Sequence, residues 1–399
     1  MIAESSSLLP ALQQPDWPDN DQLRRVCDRL AAAPAPVDAP SVQALVAELA
    51  RAGSGDGFVL VGGDCAELFS DATPARVIEK ADHLHRIADL ISGSTGVHTT
   101  RIGRFGGQFA KPRSEPFERV GDGQMVPSYR GDAVNGVAAG QRRPDPTRLL
   151  LAHRYTSDAI RGLHDWDLKR RRRMGIGRCQ PAPRTFLSHE ALILDYERAL
   201  LRHGGRHASS GHYLWIGDRT RHPAHAHIAF AEGVDNPVGV KLGPSADPSQ
   251  ASALVDILDP GYGHRPGWLS FIVRMGAAHC EALLPPVIDA LGPRARDVLW
   301  ILDPMHGNGR TNIHGQKIRL LTDIHEEIRA FFAVLSRRGV WPAGIHLEMT
   351  SDDVTECVHG PADMTRWLAD YHTACDPRLN PTQTASVAEL VATLLRTAG

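Results

Sequence analysis

Short apolar runs recur along this chain, each closed by a polar or glycine-containing string, with amphipathic stretches between them. Eight runs stand at residues 58–61, 98–102, 184–187, 213–216, 237–242, 269–273, 298–302 and 343–347. Apolar positions at helical spacing fill most of the intervals, at 75–91, 190–203, 224–232, 249–258, 280–291 and 317–338. Strand alternating with helix is the pattern of a parallel sheet. Eight repeats of the unit predict an α/β protein with a closed (β/α)8 TIM barrel. An open doubly wound sheet is the alternative, but no GxGxxG follows a strand, which weakens its dinucleotide-binding form. Residues 1–55 are rich in Pro, Ala and Asp, and predict helices at 21–33 and 41–52 with Pro and Gly breaks between them. They form an N-terminal helical arm, leaving 56–399 as the barrel domain.

The strings that end the runs carry the chemistry. They are Gly62-Gly63-Asp64-Cys65, Gly103-Arg104, Ser188-His189-Glu190, Gly217-Asp218-Arg219, Gly243-Pro244, Arg274-Met275-Gly276, Asp303-Pro304-Met305-His306-Gly307 and Glu348-Met349-Thr350, with Lys241 inside the fifth run. In a barrel all of them reach the C-terminal rim, where active sites are built. One connection, 105–183, is unusually long, with a helical second half at 147–173. A connection of that length is functional or holds elements of its own.

Composition narrows the partners. The 399 residues hold 44 Lys+Arg and 46 Asp+Glu, a net charge of -2, which argues against binding driven by bulk charge to nucleic acid or an acidic membrane. No apolar run reaches the roughly 18 residues of a membrane span. The first residues lack the basic and apolar regions of a secretory signal. The six cysteines, Cys27, Cys65, Cys179, Cys280, Cys357 and Cys375, include no CxxC pair, which speaks against a disulfide framework or zinc knuckle and for a reducing cytoplasm.

Cys65, His306 and Glu348 end different runs, and Asp376 follows the last of the helical stretches above. A thiolate, an imidazole and two carboxylates suit a divalent transition ion. Taken singly, each reads as well in structural terms: the Cys as a small buried hydrophobe, the His as a hydrogen-bonded loop residue, the Glu as a salt-bridge partner. Spacing alone leaves the four-ligand set open. Arg104, Lys111, Arg113, Arg219, Lys241 and Arg274 come from separate rim segments and, if they converge, make a pocket for small, heavily anionic ligands. The competing expectation pairs each with a nearby acid, for instance Arg219 with Asp218. The run Lys169–Arg173 reads as a solvated helix end, His222, His225 and His227 as an exposed first helical turn, and the tryptophans as core.

At these residues the sequence resembles class II 3-deoxy-D-arabino-heptulosonate 7-phosphate (DAHP) synthases. Matching strings run from Gln13-Gln14-Pro15-Asp16-Trp17-Pro18-Asp19 through 62–67, 101–114, 129–132, 188–197, 215–221, 240–244, 271–277, 303–308, 346–350 and 354–357 to 374–380. The resemblance implies a (β/α)8 barrel, a divalent metal (Mn²⁺ first, with Co²⁺, Fe²⁺ or Zn²⁺ as alternatives), and condensation of phosphoenolpyruvate with erythrose 4-phosphate and water at the head of the shikimate pathway. Carried over by position, the metal ligands fall on Cys65, His306, Glu348 and Asp376. Phosphoenolpyruvate contacts fall on Arg104, Asp218, Arg219, Lys241 and Arg274, while Lys111, Arg113 and Ser114 help hold the sugar phosphate and the pyruvyl part. The expected protein is a cytoplasmic homodimer acting on small molecules, with no nucleic-acid or membrane partner. The catalytic acid and base are not assigned. Asp218 departs from the Glu usual in the family. The chain is also shorter than the longer members, chiefly between Lys111 and Trp215, where their extra helices help form sites for aromatic amino-acid inhibitors. That implies a weakly regulated short form serving secondary metabolism. The alternatives are another metal-dependent keto-acid aldolase or synthase on the same barrel, and a non-catalytic barrel acting as partner of another enzyme.

Overall fold

A computed structural model describes residues 9–121, 123–175, 184–261 and 265–398 of the chain; Cys179 lies outside the described residues. Eight parallel strands close into a barrel. They are β1 (Gly57–Gly63), β2 (His98–Arg104), β3 (Thr185–Glu190), β4 (Tyr213–Ile216), β5 (Val238–Leu242), β6 (Leu269–Val273), β7 (Leu299–Leu302) and β8 (Pro342–Glu348). Each pairs with its neighbours in sequence, and β8 returns to β1. The register matters for function: Gly63 at the end of β1 lies level with Arg104 ending β2 and with Glu348 ending β8.

The helices are α1 (Asn20–Ala32), α2 (Ala39–Gly53), α3 (Pro74–Thr95), α4 (Arg148–Arg173), α5 (Leu194–Ala199), α6 (Ala226–Gly233), α7 (Pro248–Leu258), α8 (Cys280–Leu291), α9 (Leu321–Ser336) and α10 (Pro381–Ala398). Their starts follow local chemistry: Asp38, Thr73 and Asp247 each accept a backbone N–H from the first turn of α2, α3 and α7, all of which carry Pro at their first positions. Alternation along the strands divides the core. Phe58, Leu60, Val240, Leu242 and Phe271 face the outer helices, whereas Val59, Val61, Ile102, Tyr213, Ile272 and Ile301 fill the interior. Leu45, Leu49 and Ala52 of α2 join that interior cluster. Each buried Leu contributes about 1.5–3 kcal/mol.

Two local expectations are corrected. The helix expected over 190–203 is only α5: Glu190 completes β3, and Leu201–Arg202 pairs antiparallel with His207–Ala208 around a tight turn where His203 takes φ 51°. The helix expected from 317 begins at Leu321, because Lys317–Leu320 has the two-residue alternation of a strand and pairs with Gly309–Thr311 and Cys357–Val358. Ile318 and Leu320 pack there against Val358 and Leu368. Asp376 comes after α9, as expected, and lies in the loop between β8 and a further helix, α10, which packs on α3 and α9. The long connection after β2 holds the hairpin Phe117–Val120 and Gln124–Pro127, then α4. No helix among the described residues is long and apolar enough to cross a membrane.

Candidate metal centre and anion-binding cavity

Cys65 stands two residues beyond β1, His306 in the loop after β7, Glu348 at the end of β8, and Asp376 in the loop that follows. The structure brings these four together: one donor atom from each lies within 4.8 Å of all the others. Cys65 Sγ is 3.3 Å from Asp376 Oδ2, and His306 Nε2 is 2.9 Å from Glu348 Oε1. Sulfur, imidazole nitrogen and two carboxylate oxygens converging at that spacing fit a divalent transition ion.

Neighbouring groups orient each donor. His306 Nδ1 lies 2.7 Å from Asp303 Oδ2, and Asp303 Oδ1 accepts the backbone N–H groups of Met305 and His306, each at 3.1 Å. Arg319, buried at the centre of the small sheet, reaches the second oxygen of Glu348 at 2.5 Å and also donates to the Pro377 carbonyl. Arg378 spans Asp64 and Glu356, each at 2.8 Å, and so ties the Cys65 and Asp376 segments to one another. Burial pushes the Glu348 carboxyl up, but His306 and Arg319 outweigh it and hold the group well below the usual carboxylate range. Burial, and then the Glu348 charge, push the Cys65 thiol well up. A bound cation is what would hold it as thiolate. Lys111 Nζ lies 2.8 Å from Cys65 Sγ and 2.5 Å from Asp376 Oδ2, placing one positive charge beside two of the donors.

The same centre opens on a cavity of about 440 Å³, and all eight residues expected to bind substrate line it: Arg104, Lys111, Arg113, Ser114, Asp218, Arg219, Lys241 and Arg274. Arg219 does not pair with Asp218; it donates to Ser114 Oγ at 2.6 Å. Asp218 instead accepts from Arg221 at 2.9 Å, Arg274 at 3.0 Å and the Gly243 N–H at 2.9 Å. Its short side chain acts on Arg274. Lys241 bonds Asp303 at 2.8 Å. Arg104 contacts Glu348 at 3.2 Å and His346 Nε2 at 2.7 Å, where burial, and then the Arg104 charge, hold the imidazole neutral, well below its ordinary range.

Three cavity residues escaped the sequence reading. Glu190 ends β3 in a rim string, where a carboxylate is not the residue type that marks an anion site. Its Oε1 is buried without a partner, and burial, opposed by Lys241, raises its pKa. Lys317 was hidden by a helix assignment; it reaches Asp376 Oδ1 at 3.0 Å. Trp215, taken as core, is buried but also lines the cavity, with Lys241 and Arg104 over its ring at 5.8 and 5.3 Å and an unpartnered indole N–H. Trp367 departs further from a core role, at 67% exposed. His222 and His225 stack on each other at 4.4 Å, and with His227 stand outside the metal group. The basic end of α4 includes a pair between Arg170 and Asp89.

Fold and site together define a closed α/β barrel whose donor group, suited to a divalent metal, opens on a cavity lined by basic side chains. The class-II DAHP synthetase family model matches residues 2–170 and 172–392, and the chain belongs to this family. It is 38% identical over 436 residues to a phospho-2-dehydro-3-deoxyheptonate aldolase of Streptomyces coelicolor, covering 97% of this chain and 96% of the relative. It is also 38% identical over 445 residues to the phospho-2-dehydro-3-deoxyheptonate aldolase AroG of Mycolicibacterium smegmatis, covering 98% and 94%. A solved phospho-2-dehydro-3-deoxyheptonate aldolase from Francisella tularensis SCHU S4 shares the fold, with a TM-score of 0.56 and 16% identity over 94% of this chain and 97% of that one.

Proposed function

We propose that this chain is a transferase, a 3-deoxy-7-phosphoheptulonate synthase. It joins phosphoenolpyruvate, erythrose 4-phosphate and water into DAHP and phosphate, the first step of the shikimate route to chorismate and the aromatic amino acids. One observation carries the reading: a sulfur–nitrogen–oxygen donor group opens on the same cavity as a set of Arg and Lys side chains. A divalent ion held by Cys65, His306, Glu348 and Asp376, Mn²⁺ before Co²⁺, Fe²⁺ or Zn²⁺, would supply Lewis acidity toward the erythrose 4-phosphate aldehyde.

The chain's own residues do the rest. Arg104, Arg219, Lys241 and Arg274 hold the carboxylate and phosphate of phosphoenolpyruvate. Arg113, Ser114 and Lys317 hold the sugar phosphate, with Lys111 between them and the reacting carbons. Fixing two mutually repelling anions in this way supplies proximity and charge stabilisation. C3 of phosphoenolpyruvate forms the new bond to the aldehyde carbon. Water adds to C2, and the C2–O bond to phosphate then breaks. Glu190, its carboxyl raised by burial and facing Lys241 across the cavity, takes the proton from the attacking water. In sum the water oxygen becomes the C2 ketone oxygen; one proton ends on the new hydroxyl and the other on phosphate.

Cationic residues around both ends of the cavity favour two phosphorylated substrates over a simple keto-acid aldolase, and the complete donor set speaks against a non-catalytic barrel. In this reading residues 56–399 are the catalytic barrel and 1–55 an N-terminal arm, whose Leu45, Leu49 and Ala52 join the barrel's interior cluster. The protein works as a cytoplasmic homodimer without nucleic-acid or membrane partners, and it responds weakly or not at all to Phe, Tyr and Trp. A phosphate-release assay tests the function. Release should need both substrates, stop with EDTA and return with Mn²⁺. Release that ignores erythrose 4-phosphate or EDTA would defeat the proposal.

A further inference from the structure

Glu327 stands near the middle of α9, has no exposed surface and does not line the cavity, yet both of its carboxylate oxygens reach toward the active-site loops. Oε1 accepts the backbone N–H of Gly276, in the loop after β6, at 2.7 Å. Oε2 accepts from Asn308 Nδ2, in the loop after β7, also at 2.7 Å. Asn308 completes the clasp. Its Oδ1 accepts the Ala277 N–H at 2.9 Å, and its Nδ2 also donates to the Pro304 carbonyl at 2.8 Å. The two loops meet backbone to backbone, where Gly276 takes φ +85°. A Cβ on Gly307 would stand 2.3 Å from the Gly276 nitrogen, and one on Gly276 2.7 Å from the Gly307 oxygen.

These loops carry different halves of the chemistry. Arg274 lies two residues before Gly276 and His306 two before Asn308, and Arg274 donates to the His306 carbonyl at 2.8 Å. The Glu327 carboxylate accepts from uncharged N–H donors, and burial pushes its pKa up to about 8. A buried carboxylate is costly, and an apolar residue would fill mid-helix core more cheaply. The arrangement is favourable only where those N–H groups would otherwise be buried unpaired.

We propose that Glu327 is a positioning residue that locks the loops after β6 and β7 together, and so sets the distance between the anion-holding Arg274 and the metal-side His306. It touches neither substrate nor metal and acts through Gly276 and Asn308. The inference rests on the functional reading above in taking Arg274 as a phosphoenolpyruvate contact and His306 as a metal ligand.

The test is Glu327→Gln. The amide keeps the size and one acceptor but turns an NH2 group toward a donor. With native far-UV circular dichroism, the variant should bind Mn²⁺ and phosphoenolpyruvate each about tenfold more weakly by calorimetry in the absence of erythrose 4-phosphate. In turnover, KM for phosphoenolpyruvate should rise about tenfold while kcat at saturating metal and substrate changes less. A residue of merely structural importance would lower Tm and leave both affinities alone; folded variants binding metal and phosphoenolpyruvate within twofold of the parent overturn the inference. Should Glu327→Gln not fold, Asn308→Ala, which removes one arm of the clasp, is measured the same way. If neither folds, Glu327 is a folding element and the inference fails. The binding measurements need no turnover. A parent chain that binds both but releases no phosphate therefore contradicts the functional reading and leaves the clasp standing.

Discussion

His306 presents Nδ1 to Asp303 Oδ2 at 2.7 Å, which leaves Nε2 facing Glu348, Cys65 and Asp376. A carboxylate behind a ligating imidazole fixes its tautomer and raises its basicity. Asp303 is itself held ionised: burial raises its pKa, but His306 and Lys241 hold it well below the usual range. Asp303→Asn should therefore weaken Mn²⁺ binding 10- to 100-fold. Direct metal titration of the variant checks this, and unchanged affinity would contradict it.

The two ends of the cavity should separate kinetically. Lys317→Gln should raise KM for erythrose 4-phosphate about tenfold or more and leave KM for phosphoenolpyruvate near its parent value. Arg274→Lys should do the reverse, because a point charge cannot replace a guanidinium that bonds Asp218 and the His306 carbonyl together. Steady-state kinetics with each substrate varied in turn decide it; equal effects of either variant on both KM values would count against the assignment.

Acid should destabilise the fold through histidines far from the metal group. Burial holds His83 and His212 down to about 4 and His85 to about 2, against an ordinary value of 6.5. The unfolded chain takes up these protons near pH 6.5 and the folded one does not. Stability is thus fully present above pH 6.5 and falls as the pH drops toward 4, by about 1.4 kcal/mol per pH unit for each histidine at most. Urea unfolding at pH 7 and pH 5 measures the loss, and His212→Gln should reduce it. A midpoint independent of pH across that window would refute this account.

Much of this molecule was legible in its sequence, for identifiable reasons. Eight buried strands read as continuous apolar runs because both faces of a barrel wall are covered, and Arg104 and Glu348 closed two of those runs at one register. Residues 317–320 misled because four residues of alternation adjoin a true helix, and Lys317 was lost with them. Asp376 joins the donor group from a 32-residue span, Met349 to Asn380, that separates β8 from α10 without long regular structure, so no strand end marked it in the sequence. Glu327 was invisible: a glutamate at a helical position has the same pattern whether it faces water or the back of an active site.

The central claim is that four side chains share one cation, and cobalt substitution tests it most directly. The parent chain should bind one Co²⁺ and show a sulfur-to-cobalt charge-transfer absorption that vanishes in Cys65→Ser, together with weaker binding and loss of phosphate release. An identical absorption in Cys65→Ser, or a parent chain that binds no divalent ion, would contradict the account.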